Sequence, residues 1–141
     1  MTSHNRTDYT VLVVDDDPAV LATYCRLLRR AGYTAVPESD PCRVLSDPAA
    51  AHPDLLLLDY KMPGMDGLSL LAELRHRACR ARCILISAFL NDDVRDRATH
   101  LGVDLVLEKP VDVQALRRVI RNLLPLSEAP AASSDPDRAK A

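Results

Sequence analysis

Thr10-Val11-Leu12-Val13-Val14-Asp15-Asp16-Asp17-Pro18 passes in one step from an apolar, valine-rich run to three carboxylates and a proline. The run is short and β-branched, which suits a strand buried on both faces. Asp followed by Pro marks a helix start: the carboxylate accepts from a free N–H of the first turn, and proline needs no partner there. A helix is predicted from Pro18 to about Ala31, with Val20, Leu27, Leu28 and Ala31 available for one face. Gly32 ends it.

The same alternation continues outward. Tyr33 to Pro37 reads as a second, shorter strand, and Asp40 to Ala50 as a weaker helix with its own Asp-Pro start. Asp54 to Leu58 carries four consecutive leucines. Leucine is not a strand former by preference, but the run is too short for a stable helix and lies between Pro53 and Pro63, so a buried central strand fits. Met62 to Gly67 is a turn, followed by a helix to about Arg75. Cys83 to Ser87 is a fourth strand, and Asn91 opens a helix ending near Gly102. Val103 to Leu107 is a fifth strand, and Asp112 caps a last helix running to about Leu124. Five strands alternating with five helices imply an α/β fold, a doubly wound parallel sheet with right-handed crossovers and helices on both faces.

Composition bounds the function. The chain has 141 residues with 48% apolar content, enough for one domain with one core. Its net charge is -2 and its pI about 6, unlike a nucleic-acid-binding domain. No run of about 18 apolar residues is present and the first residues carry no signal-peptide core, so a cytoplasmic protein with no membrane contact is expected. Cys25, Cys42, Cys79 and Cys83 match no zinc or redox spacing and read as free thiols in small apolar sites. His4, His52, His76 and His100 stand among polar neighbours and read as solvated. Residues 1–8 are expected to be a flexible start and residues 125–141, rich in Ala, Pro, Ser and Asp, a disordered tail or linker.

In a parallel sheet of this kind, ligands bind outside the carboxyl ends of the strands. Asp15 and Asp16 end the first strand, Asp59 the third and Ser87-Ala88 the fourth; Lys109-Pro110 follows the fifth. Three carboxylates, a hydroxyl and a lysine therefore converge on one rim. Crowded carboxylates repel one another, and a hard divalent cation relieves them. Oxygen donors without Cys or His favour Mg2+ over zinc. A helix cap with solvated charges would explain Asp15 to Asp17 alone, and Asp17-Pro18 reads as that cap. It does not explain Asp59 at the end of an apolar strand, or Lys109 before a proline. A carboxylate can also accept a phosphoryl group as a nucleophile, given a cation and a lysine to neutralise the phosphoryl charge. Only three of the 18 basic residues are lysines, Lys61, Lys109 and Lys140.

These residues resemble the receiver domain of two-component response regulators, the chemotaxis-regulator type among them. The matching pieces are Val13 to Pro18, Asp59-Tyr60-Lys61-Met62-Pro63-Gly64-Met65-Asp66-Gly67, Ser87-Ala88 and Lys109-Pro110, within residues 9–124. The resemblance implies a flavodoxin-like sheet of order 2-1-3-4-5. It implies that Asp59 accepts a phosphoryl group from a sensor histidine kinase or histidine phosphotransfer protein. Asp16 is implied to bind Mg2+, with Asp15 helping to hold it and the Lys61 backbone carbonyl and Asp59 completing the protein ligands. Ser87 and Lys109 are implied to contact the phosphoryl oxygens, and the Lys109–Pro110 bond to be cis.

The signalling end departs from that family. The position three residues before the lysine, usually aromatic, is Val106, and Val111 follows Lys109-Pro110 where Phe is common. Phe89 and the helix after Asn91 are the nearest groups to report a movement of Ser87. A homodimer or an output domain is expected on the face of the fourth helix, fifth strand and fifth helix, where Arg117, Arg118 and Arg121 stand. No DNA-binding module follows residue 124, so the tail is either a natural end or a linker to a removed effector, as in a fragment of a larger transcriptional regulator. Two other functions compete. An aspartate-nucleophile phosphatase would carry a second aspartate at position 61, where Lys61 stands. A flavin protein would need hydroxyls and amides after the first strand, where three aspartates stand.

Overall fold

The computed structural model describes residues 6–47 and 52–127. In chain order these form β1 (Thr10–Val14), α1 (Pro18–Arg30), β2 (Thr34–Glu38), α2 (Pro41–Ser46), β3 (Leu55–Asp59), α3 (Gly67–His76), β4 (Arg82–Ser87), α4 (Asp92–His100), β5 (Leu105–Glu108) and α5 (Val113–Leu123). The strands make one parallel sheet in the order β2-β1-β3-β4-β5. The expected alternation and strand order both hold.

Side-chain alternation explains why the strands read as continuous apolar runs. Val11, Val13, Leu55, Leu57, Ile84 and Ile86 face one way, onto Leu21 and Leu28 of α1 and Leu116 and Ile120 of α5. Leu12, Val14, Leu56, Leu58, Cys83 and Leu85 face the other way, onto Val44 of α2, Leu68, Leu71 and Leu74 of α3, and Val94 and Ala98 of α4. Leu55 to Leu58 are each exposed by 1% or less. Burying one such side chain contributes about 2 kcal/mol, which outweighs leucine's weak strand preference.

The helix starts follow the capping residues. Asp17, Asp40, Asp66, Asn91 and Asp112 each accept from a first-turn N–H. Several boundaries differ from expectation; β2 runs from Thr34 to Glu38 rather than from Tyr33 to Pro37, and β4 starts at Arg82 rather than Cys83. α2 stops at Ser46, because Asp47 is extended, as the residue before a proline tends to be; the rest of the helix expected to Ala50 lies outside the described residues. β3 starts at Leu55; Asp54 before it bonds to Thr10 through its backbone N–H at 2.8 Å, and its carboxylate accepts from the Thr10 N–H at 2.8 Å and pairs with Arg6 at 2.7 Å. β5 starts at Leu105, because Val103 N–H still bonds back to the Ala98 carbonyl and the Asp104 carboxylate accepts from the Cys83 N–H at 2.8 Å.

Pairing begins before Tyr9 and continues past Leu124. Arg6 and Leu126 form a parallel bridge, with Ser127 N–H donating to the Arg6 carbonyl at 2.7 Å. The Tyr33 hydroxyl donates to the Leu124 carbonyl at 2.7 Å and the Tyr9 hydroxyl to the Pro125 carbonyl at 3.0 Å. The rest of the expected flexible start and disordered tail, residues 1–5 and 128–141, lies outside the described residues. Among the described residues no helix is long and apolar enough to cross a membrane. The cysteines are free; Cys25, Cys79 and Cys83 are buried as expected, but Cys42 is exposed on α2.

Candidate functional site

Parallel strands bring their carboxyl ends to one rim, and three of them deliver the site. Asp59 is the last residue of β3 and is 6% exposed. Asp15 follows β1 and is 3% exposed, with Asp16 beside it and exposed. The carboxylates of Asp15, Asp16 and Asp59 offer oxygens that all lie within 4.8 Å of one another. Lys109, directly after β5, reaches across with its Nζ 3.1 Å from Asp59 Oδ1. Its backbone is held by an N–H bond to the Ser87 carbonyl at 2.9 Å, and the Lys109–Pro110 bond is cis.

The charges do not balance. Three carboxylates face one ammonium, which leaves two negative charges, the complement of a single divalent cation. Burial pushes the Asp15 carboxyl up to about 6; the Asp17 N–H on its Oδ1 (2.9 Å) opposes this, Asp59 adds to it, Lys109 opposes it and Asp16 adds to it. Asp59 is also raised, by burial first, against the Lys109 hydrogen bond and charge. Burial disfavours the Lys109 ammonium, but the Asp59 hydrogen bond and the Asp59 and Asp15 charges outweigh it, so its pKa is raised. An all-oxygen donor set with excess negative charge fits a hard cation such as Mg2+.

This has a consequence for stability. A carboxyl with a folded pKa raised above the unfolded value near 3.9 favours folding only while it is protonated. That contribution is present below pH 4 and is lost as pH rises through 6. Without divalent cations, Asp15→Asn is therefore expected to stabilise the protein by about 3 kcal/mol at pH 8, given about 1.4 kcal/mol per pKa unit. The gain should vanish at pH 4. Thermal unfolding at both values in a chelator checks it.

Ser87 ends β4 and is 1% exposed. Its hydroxyl donates to the Phe89 carbonyl at 2.9 Å and accepts from the Phe89 N–H at 3.0 Å, so it is tied to its own loop rather than to the carboxylates. Ala88 is exposed and Phe89 is 65% exposed. Lys61 is exposed too, with its Nζ 5.3 Å from the centre of the Phe89 ring. Val106 pairs in register with Leu85, is half-buried, and packs on the α3–α4 side of the sheet.

Two further residues were given no site role by the sequence reading. Gly67 opens α3 with its Cα packed against the Asp59 backbone; a Cβ there would overlap the Asp59 carbonyl oxygen. Its N–H donates to the Tyr60 carbonyl at 2.7 Å, which closes the loop after Asp59. Tyr24 on α1 is 8% exposed, and burial first raises the pKa of its phenol, with the charge of Lys109 opposing this and those of Asp15 and Asp59 adding to it. Its signal was available, as a hydroxyl-bearing ring on an otherwise apolar helix face with Leu21 and Leu28.

Comparison with known proteins agrees with this geometry. The model of the response regulator receiver domain family matches residues 11–121. The chain is 28% identical over 116 residues to sporulation initiation phosphotransferase F of Bacillus subtilis, covering 82% of this chain and 94% of that protein. It is 37% identical over 103 residues to the DNA-binding transcriptional regulator NtrC of Escherichia coli, covering 73% of this chain but 22% of that protein. With the transcriptional regulatory protein PrrA of Mycobacterium leprae the match is 35% and spans 53% of the relative. The chain thus spans nearly all of the first relative but only 22% and 53% of the other two. A solved CheY-like receiver domain protein from Methanospirillum hungatei superposes with a TM-score of 0.74 at 25% identity, covering 81% of this chain and 91% of that one. The chain belongs to the response regulator receiver domain family.

Proposed function

We propose that this domain accepts a phosphoryl group on Asp59 from a phosphohistidine of a sensor histidine kinase or histidine phosphotransfer protein. The observation that carries the reading is the buried Asp59 carboxylate with Lys109 at 3.1 Å and the carboxylates of Asp15 and Asp16 beside it. In the transfer the phosphohistidine P–N bond breaks as an O–P bond forms on Asp59, and the histidine leaves with the electron pair and takes a proton. The protein's work is positioning and charge neutralisation. Mg2+ would be held by Asp15, Asp16, Asp59 and the Lys61 backbone carbonyl, and it supplies charge neutralisation for the phosphoryl oxygens. Lys109 meets one phosphoryl oxygen and Ser87 another.

The switch follows from what Ser87 must give up. To reach a phosphoryl oxygen its hydroxyl has to leave the Phe89 carbonyl and N–H, which frees the loop of Ala88 and Phe89. Phosphorylation adds about -1.5 to -2 charges, enough to bias a loop–helix segment whose two states differ by a few kcal/mol. With Val106 in place of a ring, Phe89 and α4 carry the movement outward. The output is a change of partner or of self-association on the face of α4, β5 and α5, where Arg117, Arg118 and Arg121 are exposed. Catalysis by the chain is confined to its own phosphorylation and dephosphorylation, and a cytoplasmic location goes with a kinase partner. The partial coverage of NtrC and PrrA favours a second reading of the output, in which the domain regulates a DNA-binding module.

Metal removal tests the reading. The intact protein with acetyl phosphate and Mg2+ should gain one phosphoryl group by mass spectrometry. Chelation of the metal should slow this by at least about a hundredfold, on the scale of losing one preorganised charge. Phosphorylation at an equal rate in the chelator would overturn the metal assignment.

A further inference from the structure

From Leu74 to Asn91 the chain carries four arginines, Arg75, Arg77, Arg80 and Arg82, and not one carboxylate. None of them has a role in the phosphoacceptor site. They fall in the last turn of α3, the loop after it and the first residue of β4. They therefore stand where the parallel strands begin, at the end of the sheet opposite Asp59. A chain with a net charge of -2 thus gathers positive charge on one rim.

Two hollows, of about 820 and 590 Å³, adjoin there and share the wall that carries Arg80 and Arg82. Arg6 and Asp54 line the first, Arg75 and Asp104 the second. Three of the four guanidiniums are held from behind. Arg6 pairs with Asp54 at 2.7 Å and lies over the Tyr9 ring, 4.6 Å from its centre. Arg82 pairs with Asp104 at 3.3 Å. Arg75 donates to the carbonyls of Cys79, Ala81, Leu101 and Gly102, at 2.6 to 3.4 Å, and pairs with no carboxylate among the described residues. Arg80 is exposed and has no hydrogen bond or ion pair among the described residues. The two carboxylates are shared with backbone, Asp54 accepting from the Thr10 N–H and Asp104 from the Cys83 N–H. Four guanidiniums against two carboxylates leave an excess of positive charge, and the Arg6 and Arg82 side chains remain 50% and 54% exposed.

We propose that this groove binds an extended acidic segment of a partner protein, whose carboxylates pair with Arg6, Arg80 and Arg82. The guanidinium fork matches a carboxylate with two parallel N–H donors. Side chains already held in place lose little freedom on binding, which favours the bound state. The chemistry of the groove also selects the class of partner. Nucleic-acid strands are gripped by exposed aromatic rings, and no exposed Tyr, Phe or Trp lines this groove, whose Tyr9 is 5% exposed. A membrane surface calls for exposed apolar side chains to insert, and Val36, Phe89 and Val113 all lie outside it. Because the groove sits at the other end of the strands, its occupation is independent of phosphoryl transfer to Asp59.

The test uses the full chain and a fluorescently labelled oligoglutamate of about eight residues, about 26 Å when extended. Binding is read by fluorescence anisotropy and folding by a thermal melt of each protein. Arg80→Glu combined with Arg82→Glu should weaken binding at least about tenfold, because two attractions become repulsions. Arg80→Glu alone disturbs no bond of the fold and should still weaken it about threefold, which keeps the test open if the double variant unfolds. Arg117→Glu combined with Arg118→Glu makes the same change of net charge on α5 and should leave affinity within about twofold, since distant exposed charges are screened. Phosphoryl uptake from acetyl phosphate and Mg2+ should be alike in wild type and the Arg80→Glu variant. The proposal is overturned if the wild type does not bind the probe, or if both arginine pairs weaken binding equally, which would mark net charge alone. Tighter binding of a single-stranded oligonucleotide through the same arginines would overturn the class of partner. Slowed phosphoryl uptake in Arg80→Glu would overturn the independence of the two ends; failure of uptake in the wild type would remove the phosphoacceptor reading and leave the groove standing.

Discussion

Asp59→Asn is expected to lower phosphoryl acceptance by more than about a thousandfold, the scale of losing a nucleophile. The amide keeps the shape of the carboxylate and can still accept from Lys109, but it is too weak a nucleophile to form the O–P bond. The variant should nevertheless fold. Asp59 is 6% exposed and its carboxyl is raised by burial, so the charged form is unfavourable to the folded state at neutral pH. Removing that charge should leave the melting temperature unchanged or higher. Intact mass after acetyl phosphate treatment and a thermal melt of the same sample separate the two effects. A phosphoryl adduct on Asp59→Asn would remove Asp59 as the acceptor, and a collapsed melt would make the charge stabilising, contrary to its burial.

Gly67→Ala is expected to be the most damaging small substitution in the loop after β3. Its Cβ would overlap the Asp59 carbonyl oxygen and lie 3.2 Å from both the Asp59 carbonyl carbon and Leu85 Cδ1. Two of these three atoms are backbone, and Leu85 is fully buried, so nothing can give cheaply. Overpacking of this kind costs about 3 kcal/mol, or roughly 10 °C in melting temperature for a domain of this size. Because the obstructing carbonyl belongs to Asp59, the acceptor must shift as well, and phosphorylation of the surviving folded protein should slow about tenfold or more, as small misplacements of a nucleophile do. Gly64→Ala is the control. Gly64 has a φ of 88° with nothing within 4 Å of a Cβ, so it should cost only the left-handed backbone penalty of about 1 kcal/mol. Equal losses at both positions would mean that backbone conformation, not the close approach to Asp59, is what Gly67 protects.

The strands and helices were legible because their signals are local. Apolar runs closed by carboxylates, and Asp or Asn ahead of each helix, are set by neighbours a few residues away. Asp17, Asp40, Asp66, Asn91 and Asp112 all cap helices. The rim of Asp15, Asp16, Asp59, Ser87 and Lys109 was legible for a related reason: in a parallel sheet, the strand ends alone decide which residues share an edge. Asp54 and Asp104 were misjudged because their engagements are lateral. One accepts from Thr10 of a neighbouring strand and the other from Cys83, and no pattern along the chain marks either bond. The bridge of Arg6 to Leu126 joins residues from opposite ends of the described chain, across a separation that composition cannot bridge.

The sequence by itself determined the alternation of strand and helix, the order of the sheet through the family resemblance, and the set of charged groups on one rim. Tertiary structure alone decided the state of those groups. Asp15 and Asp59 are driven up by burial while Asp16 stays in water, although Asp15 and Asp16 are neighbours in the chain. Ser87 is turned to Phe89, and Gly67 lies against Asp59. Desolvation and contact distance depend on how α1, α3 and the sheet pack around a point, and that packing sums contributions from residues far apart in the chain. Residue order names the groups at the site, and the packing around them sets their charge and their reach.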